Sequence, residues 1–143
     1  MTYLEPQLGE IPAPVAQATT KPFWEGCAER RLLFLRCASC GYALHPPAVA
    51  CSHCGGRQLA WEQSGGRGTV YSWTRIWRPQ TPAFVVPYVA VIVELDEGWS
   101  LVSNLIGCDS DEAAIGMRVE VDFHAIAGGA VLPYFRPLAG SSP

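Results

Sequence analysis

The chain has 143 residues, of which 49% are hydrophobic and 16% charged, with 10 basic and 13 acidic residues and a formal net charge of −3. That balance describes one globular domain or two very small ones and excludes an intrinsically disordered polymer. The acidic sign and the scattered arginines argue against binding to a nucleic-acid phosphate backbone. The longest apolar stretch, Val85 to Val93, is interrupted by Pro87 and is far shorter than the roughly 20 residues of a membrane-spanning helix. The first twenty residues lack a basic start and contain Pro6, Pro12 and Pro14, so a secretory signal is not expected. A cytoplasmic location in a reducing compartment follows as the expectation.

In chain order, residues 1–19 show no periodicity and are expected to form an extended arm. Thr19 or Thr20 is placed to cap a short helix with Pro22 in its first turn. On that helix Phe23 and Cys27 share one face, and Trp24 and Ala28 the next. Glu29, Arg30 and Arg31 end it, and Leu32 to Leu35 form a short strand.

Two Cys-x-x-Cys-Gly knuckles follow, Cys37-Ala38-Ser39-Cys40-Gly41 and Cys51-Ser52-His53-Cys54-Gly55. The spacing brings both sulfurs of a pair to one ion across a tight turn, and the glycine permits the positive φ that the turn needs. Four thiolates in two knuckles suit a tetrahedral zinc ion with no open coordination position, hence a structural site. Iron of the rubredoxin type has the same ligand set. Disulfides and a thioredoxin-like redox pair are the competing readings; the reducing compartment disfavours the first, and the presence of two knuckles the second. His45 and His53 are neighbours of the site rather than required ligands. Cys27 and Cys108 stand outside the knuckle spacing and read as small buried thiols.

Leu59 and Trp61 alternate with polar or small residues and mark a strand leaving the knuckles. Gly65-Gly66-Arg67-Gly68 lacks the Lys-Ser/Thr tail of a phosphate loop and reads as a turn between two modules. From there the pattern is strand after strand. Val70 to Trp77 alternates, with Val70, Ser72, Thr74 and Ile76 on one face and Tyr71, Trp73, Arg75 and Trp77 on the other. Tyr88 to Leu95 reads as a central strand, Glu97-Gly98 as a turn, and Trp99 to Ile106 as a third strand. Asp109 with Glu112 three residues on predicts a single capped helical turn. Gly116 to Ala127 and Ala130 to Arg136 are the last two strands, joined at Gly128-Gly129. The expected architecture is mostly β: an N-terminal short helix, a rubredoxin-like zinc ribbon, then a five-stranded OB-fold barrel; a small open sandwich would produce a similar pattern. The expected boundaries are 1–19 arm, 20–63 helix plus ribbon, 64–138 barrel and 139–143 tail.

The order and spacing of further segments is specific: Phe23-Trp24-Glu25-Gly26, Pro46-Pro47, Gly66-Arg67-Gly68-Thr69-Val70-Tyr71-Ser72, Pro87-Tyr88-Val89, Glu94-Leu95-Asp96-Glu97-Gly98, Asn104-Leu105-Ile106-Gly107-Cys108 and Pro133-Tyr134-Phe135-Arg136-Pro137. With the knuckles, they make residues 20–138 resemble the zinc-ribbon OB-fold family, known as a domain of unknown function associated with acyl-CoA enzymes. The resemblance implies an auxiliary subunit pairing with a thiolase-like enzyme, including sterol-carrier-type thiolases that act as retro-aldolases on steroid side-chain CoA thioesters. Other members pair with enoyl-CoA hydratases or acetyl-transfer complexes.

The residues agree with a non-catalytic role. No Ser-His-Asp set has a recognisable local signature, and His124 is a lone strand histidine, which usually serves structure. A CoA thioester would need a cation and a stacking aromatic, which Trp73, Arg75, Trp77 and Arg78 supply; the same residue types dominate protein interfaces. Phe23 and Trp24 form a second candidate docking face. The alternative function is a stand-alone module binding acyl-CoA or single-stranded nucleic acid.

Overall fold

The Pro22-initiated segment forms helix α1 (Lys21–Ala28) in the computed structural model, which describes residues 2–139. Its Phe23 and Cys27 face inward and are buried, as their spacing predicts. Thr20 stands at the N-cap, but its hydroxyl caps nothing. The backbone there is already helical, and the Thr20 oxygen instead accepts the Gln17 N–H at 2.9 Å. Arg30, with φ 61°, turns the chain away after the helix.

Strand β1 (Leu33–Cys37) pairs with β2 (Ala43–Leu44) on one side and β3 (Leu59–Gln63) on the other, in an antiparallel sheet. β1 runs two residues beyond the expected Leu35, because Arg36 and Cys37 still pair with Ala60 and Leu59. The two residues of β2 are too few to create a periodicity.

Five strands follow: β4 (Arg67–Ile76), β5 (Tyr88–Leu95), β6 (Ser100–Leu105), β7 (Arg118–Ala125) and β8 (Val131–Pro137). They close into a barrel in the order β4-β5-β6-β8-β7, with β7 returning to β4. This is the five-stranded OB arrangement rather than an open sandwich. Between β6 and β7 lies a single 3-10 turn, Ser110–Glu112. Its capping box has the Asp109 carboxylate accepting from Asp111 N–H and the Glu112 carboxylate accepting from Asp109 N–H. Val89, Val91, Val93, Val119 and Phe135 point inward and are fully buried.

One strand departs from the expected alternation. The β4–β5 register slips between Val70 and Ser72, so Tyr71 is an extra, exposed residue. Beyond this bulge the faces exchange. Val70 and Trp73 therefore lie on the same side, opposite Val93 and Val91, and Trp73 packs against the core instead of standing opposite Val70.

Barrel closure is uneven. β7 and β8 pair over seven positions, but β6 and β8 pair at a single parallel position, Leu105 with Phe135. Pro133 carries no N–H to extend that pairing, and its carbonyl instead accepts from Ser103 Oγ at 2.7 Å.

The ribbon sheet and the barrel meet at a stack of Phe34 on Trp99, with ring centroids 5.4 Å apart and planes within 13°. Glu97 ties this joint. Its carboxylate accepts from Ser64 Oγ (2.7 Å), Gly65 N (2.8 Å) and Trp99 Nε1 (3.1 Å).

The segment expected as an arm lies along the barrel. Leu4 is buried, and its N–H donates to the Cys108 carbonyl at 2.8 Å. The Gln7 side chain bonds both the N–H and the carbonyl of Val85, at 2.8 and 2.9 Å. Met1 of the arm and residues 140–143 of the tail lie outside the described residues. Among the described residues, no helix is long and apolar enough to cross a membrane.

Candidate metal centre and docking surface

The two knuckles fold the same way. Gly41 N–H returns to the Cys37 carbonyl at 2.8 Å and Gly55 N–H to the Cys51 carbonyl at 2.9 Å. Both glycines hold positive φ, 79° and 78°, a region costly for residues with a side chain. β1 delivers Cys37 to the first turn and β3 leaves just after the second, which sets the knuckles face to face.

All four sulfurs of Cys37, Cys40, Cys51 and Cys54 lie within 4.8 Å of one another. The Cys37–Cys54 and Cys40–Cys51 separations are both 3.6 Å. Thiolates at zinc bonding distance on a tetrahedron stand about 3.8 Å apart, and disulfide sulfurs only about 2 Å apart. The donor set and spacing therefore fit one zinc ion, and the disulfide reading does not survive. Backbone N–H groups of His53 and Gly56 point at Cys51 and Cys54 sulfurs, at 3.3 and 3.4 Å, as second-sphere donors to thiolates do. His53 stacks on Tyr42, centroids 4.9 Å apart, and takes no place among the four sulfurs.

Backbone N–H donors at Cys40 and Ser39, working against desolvation, hold the Cys37 thiol down to about 6. At Cys40 the Tyr42 N–H pulls the same way, but desolvation and the three neighbouring sulfurs push it up to about 12. Four thiolates at this spacing repel one another unless a cation sits between them. Elsewhere, burial pushes the Cys27 thiol up to about 12 and the Cys108 thiol up to about 11. Both are buried, and neither is a competent nucleophile.

The residues expected at a docking surface separate in space. Phe23 is 6% exposed and belongs to the core, edge-on to Trp24 at 4.9 Å. Trp24 is half-buried against that core. Trp73 packs inward, as described. Arg75 donates to the Ser110 carbonyl and to Asp111 Oδ1, each at 3.0 Å, so its charge is already paired. Its guanidinium also sits 5.6 Å from the Trp77 ring. Trp77 is 63% exposed at the end of β4, with exposed Arg78 beside it, and both open the long loop to β5. Arg75, Trp77 and Arg78 therefore share one end of the barrel, while Phe23, Trp24 and Trp73 lie elsewhere and largely covered. Exposed Val85 lies on that same loop; nothing in the apolar stretch from Val85 to Val93 distinguishes it from the buried valines of β5.

His124 Nε2 lies 2.9 Å from Asp122 Oδ2, and the Arg136 guanidinium approaches the same oxygen at 3.8 Å. Together these form a polar surface cluster, and among the described residues no nucleophile is hydrogen-bonded to the imidazole.

A four-thiolate ribbon joined to a closed OB barrel defines a zinc-ribbon OB-fold protein. Known families match both parts: "ChsH2, rubredoxin-like zinc ribbon domain" over residues 24–60 and "ChsH2, C-terminal OB-fold domain" over residues 61–124. The chain belongs to this ChsH2/DUF35 family. It is similar to an "Ltp2-ChsH2(DUF35) aldolase" chain, at 40% identity and TM-score 0.79, covering 87% of this chain and 98% of that one. It is 40% identical to a "probable enoyl-CoA hydratase alpha subunit" of Thermomonospora curvata, over 88% of this chain and 40% of that protein. A 3-oxo-4,17-pregnadiene-20-carboxyl-CoA hydratase alpha subunit of Mycobacterium tuberculosis is 34% identical over 77% of this chain and 35% of its own length. The chain thus spans well under half of these two curated relatives. A DUF35 domain-containing scaffold protein of Methanothermobacter thermautotrophicus is 34% identical, with 64% of this chain and 70% of that protein covered.

Proposed function

We propose that this chain is a non-catalytic auxiliary subunit. It pairs with a thiolase-like enzyme acting on acyl-CoA thioesters, a class that includes retro-aldolases of steroid side chains, and helps form or close the acyl-CoA site. Relatives that carry this fold are named as hydratase alpha subunits, an aldolase component and scaffold proteins. The observation that carries the reading is Trp77, a large aromatic left 63% exposed at the rim of the barrel beside Arg78. Exposed Trp and Arg in company are the residues most concentrated at binding hot spots. Cys37, Cys40, Cys51 and Cys54 hold a zinc ion that contributes folding free energy and no chemistry, since four thiolates fill its coordination sphere. A CoA thioester is contacted through Trp77 and Arg78; Arg75 serves as the platform that holds the indole.

The test is native mass spectrometry of the tagged chain drawn gently from its own host, followed by affinity measurement with the purified partner. A stoichiometric thiolase-like subunit is expected. Trp77→Ala should weaken its binding by about 2 kcal/mol, roughly thirtyfold. A chain that emerges alone, or an unchanged affinity in Trp77→Ala, would refute the assignment. Saturable binding of single-stranded DNA at low salt would favour the stand-alone module instead.

A further inference from the structure

Apart from the four sulfurs and the exposed Trp77, the weak β6–β8 seam opens into a cavity of about 460 Å³. Three further parts of the chain roof it: Gln7 and Ile11 of the N-terminal segment, α1, and the His45–Pro47 stretch of the ribbon. Its volume falls within the range of small-molecule sites, about 300 to 1,000 Å³. Phe23, Trp24 and Phe84 contribute aromatic rings, and prolines and leucines from β6, β8 and the ribbon complete an apolar wall. Among the lining residues there is no Lys, Arg, Asp or Glu.

Most polar groups on the wall are already used. The Gln7 amide is taken by Val85, the Tyr134 hydroxyl accepts from Gln7 N–H at 3.1 Å, and Ser103 Oγ donates to Pro133. Asn104 lines the same space, and among the described hydrogen bonds its side-chain amide is in none. Asn104 is half-buried, so its amide is open to water while the cavity is empty and can exchange that water for an incoming polar atom. Desolvation holds the His45 imidazole below its ordinary pKa, against the pull of a bond to its own backbone. The wall therefore stays uncharged at neutral pH.

We infer that this cavity binds a neutral, largely apolar small molecule bearing one carbonyl or hydroxyl oxygen, its hydrocarbon body against Phe23, Trp24 and Phe84 and its oxygen on the Asn104 amide. A carboxylate or phosphate is rejected, because no cation waits to replace its hydration. The inference does not depend on the acyl-CoA reading: the cavity is built from this chain alone.

The test uses the zinc-loaded full chain and the neutral fluorophore N-phenyl-1-naphthylamine. Its emission should rise and saturate at one probe per chain, with the emission of Trp24 quenched; Trp24→Phe identifies that share. Decan-2-one should displace the probe, and decanoate should not. Asn104→Leu should bind the probe normally and bind decan-2-one about fivefold more weakly, the worth of one hydrogen bond. Leu132→Trp, which fills the cavity from β8, should abolish probe binding with circular dichroism and zinc content unchanged. Should that variant misfold, the Asn104→Leu comparison and the Trp24 quenching decide alone. Non-saturating emission, quenching that survives Trp24→Phe in full, or equal competition by ketone and carboxylate would overturn the proposal.

Discussion

Glu97→Gln is the sharpest probe of how the ribbon is fastened to the barrel. The carboxylate takes Ser64 Oγ and Trp99 Nε1 on one oxygen and Gly65 N on the other. Glutamine keeps one acceptor and gains an NH₂, so in either orientation an N–H donor meets another donor. If the NH₂ faces Gly65, water at that exposed glycine recovers part of the loss. If it faces Trp99, an indole N–H on a 2% exposed residue is left without a partner. An unsatisfied buried donor costs about 1 to 3 kcal/mol. The partly wet alternative will be taken, which sets the expected loss at about 1 to 2 kcal/mol, or roughly 3 to 6 °C in Tm. Equilibrium urea unfolding of the zinc-loaded protein, followed by tryptophan emission and in parallel by zinc release to a chromogenic chelator, measures it. Both readouts should move together, since Glu97 bonds the linker and the indole at once. A Glu97→Gln protein within about 0.3 kcal/mol of the parent would show that the three bonds do not hold the joint.

Other expectations concern the metal, one strand and one ion pair. Metal analysis of reduced protein should give one zinc per chain, and chelation should unfold the ribbon before the barrel, seen as loss of the Phe34–Trp99 stack in near-ultraviolet circular dichroism ahead of loss of far-ultraviolet strand signal. Gly68→Ala should cost more than about 2 kcal/mol in denaturant melts, because a Cβ there would collide with the Glu94 carbonyl oxygen and the Val93 side chain across the β4–β5 pair. Asp96 receives two bonds from the Arg118 guanidinium, at 2.7 and 2.9 Å, which holds its carboxyl below the ordinary range. A lowered folded-state value adds stability above the unfolded value of about 3.9 that is lost as pH falls through the folded one. The stability gap between the parent and Asp96→Asn should thus be full near neutral pH and close below about pH 4 in a series of thermal melts.

The knuckles and the strand succession were legible because local chemistry dictates them. Cys-x-x-Cys-Gly specifies a turn by itself, and Tyr88 to Leu95 is a strand in the structure as its β-branched pattern predicts. The capped turn at Asp109 was legible for the same reason. The bulge at Tyr71 was not: Val70 to Trp77 alternates without a flaw, and only pairing with β5 shows that one residue is skipped. That slip moved Trp73 from the expected outer face to the core, whereas Trp77, one residue past the end of β4, stays exposed. The burial of Phe23 is not legible either, because a helix's apolar side looks the same whether it meets its own barrel or another chain. The docking of Leu4 and Gln7 was hidden too, since an aperiodic, proline-broken stretch carries no sign of the groove that receives it.

The placement of the six cysteines makes the chain its own reporter of folding. Cys27 and Cys108 are enclosed by the barrel core, whereas Cys40 and Cys54 reach the surface at the ribbon tip. A thiol-alkylating reagent should therefore add nothing to the zinc-loaded chain, four groups once the ion is stripped, and six only when the barrel opens. The mass of the labelled protein would count, molecule by molecule, how far each had come apart.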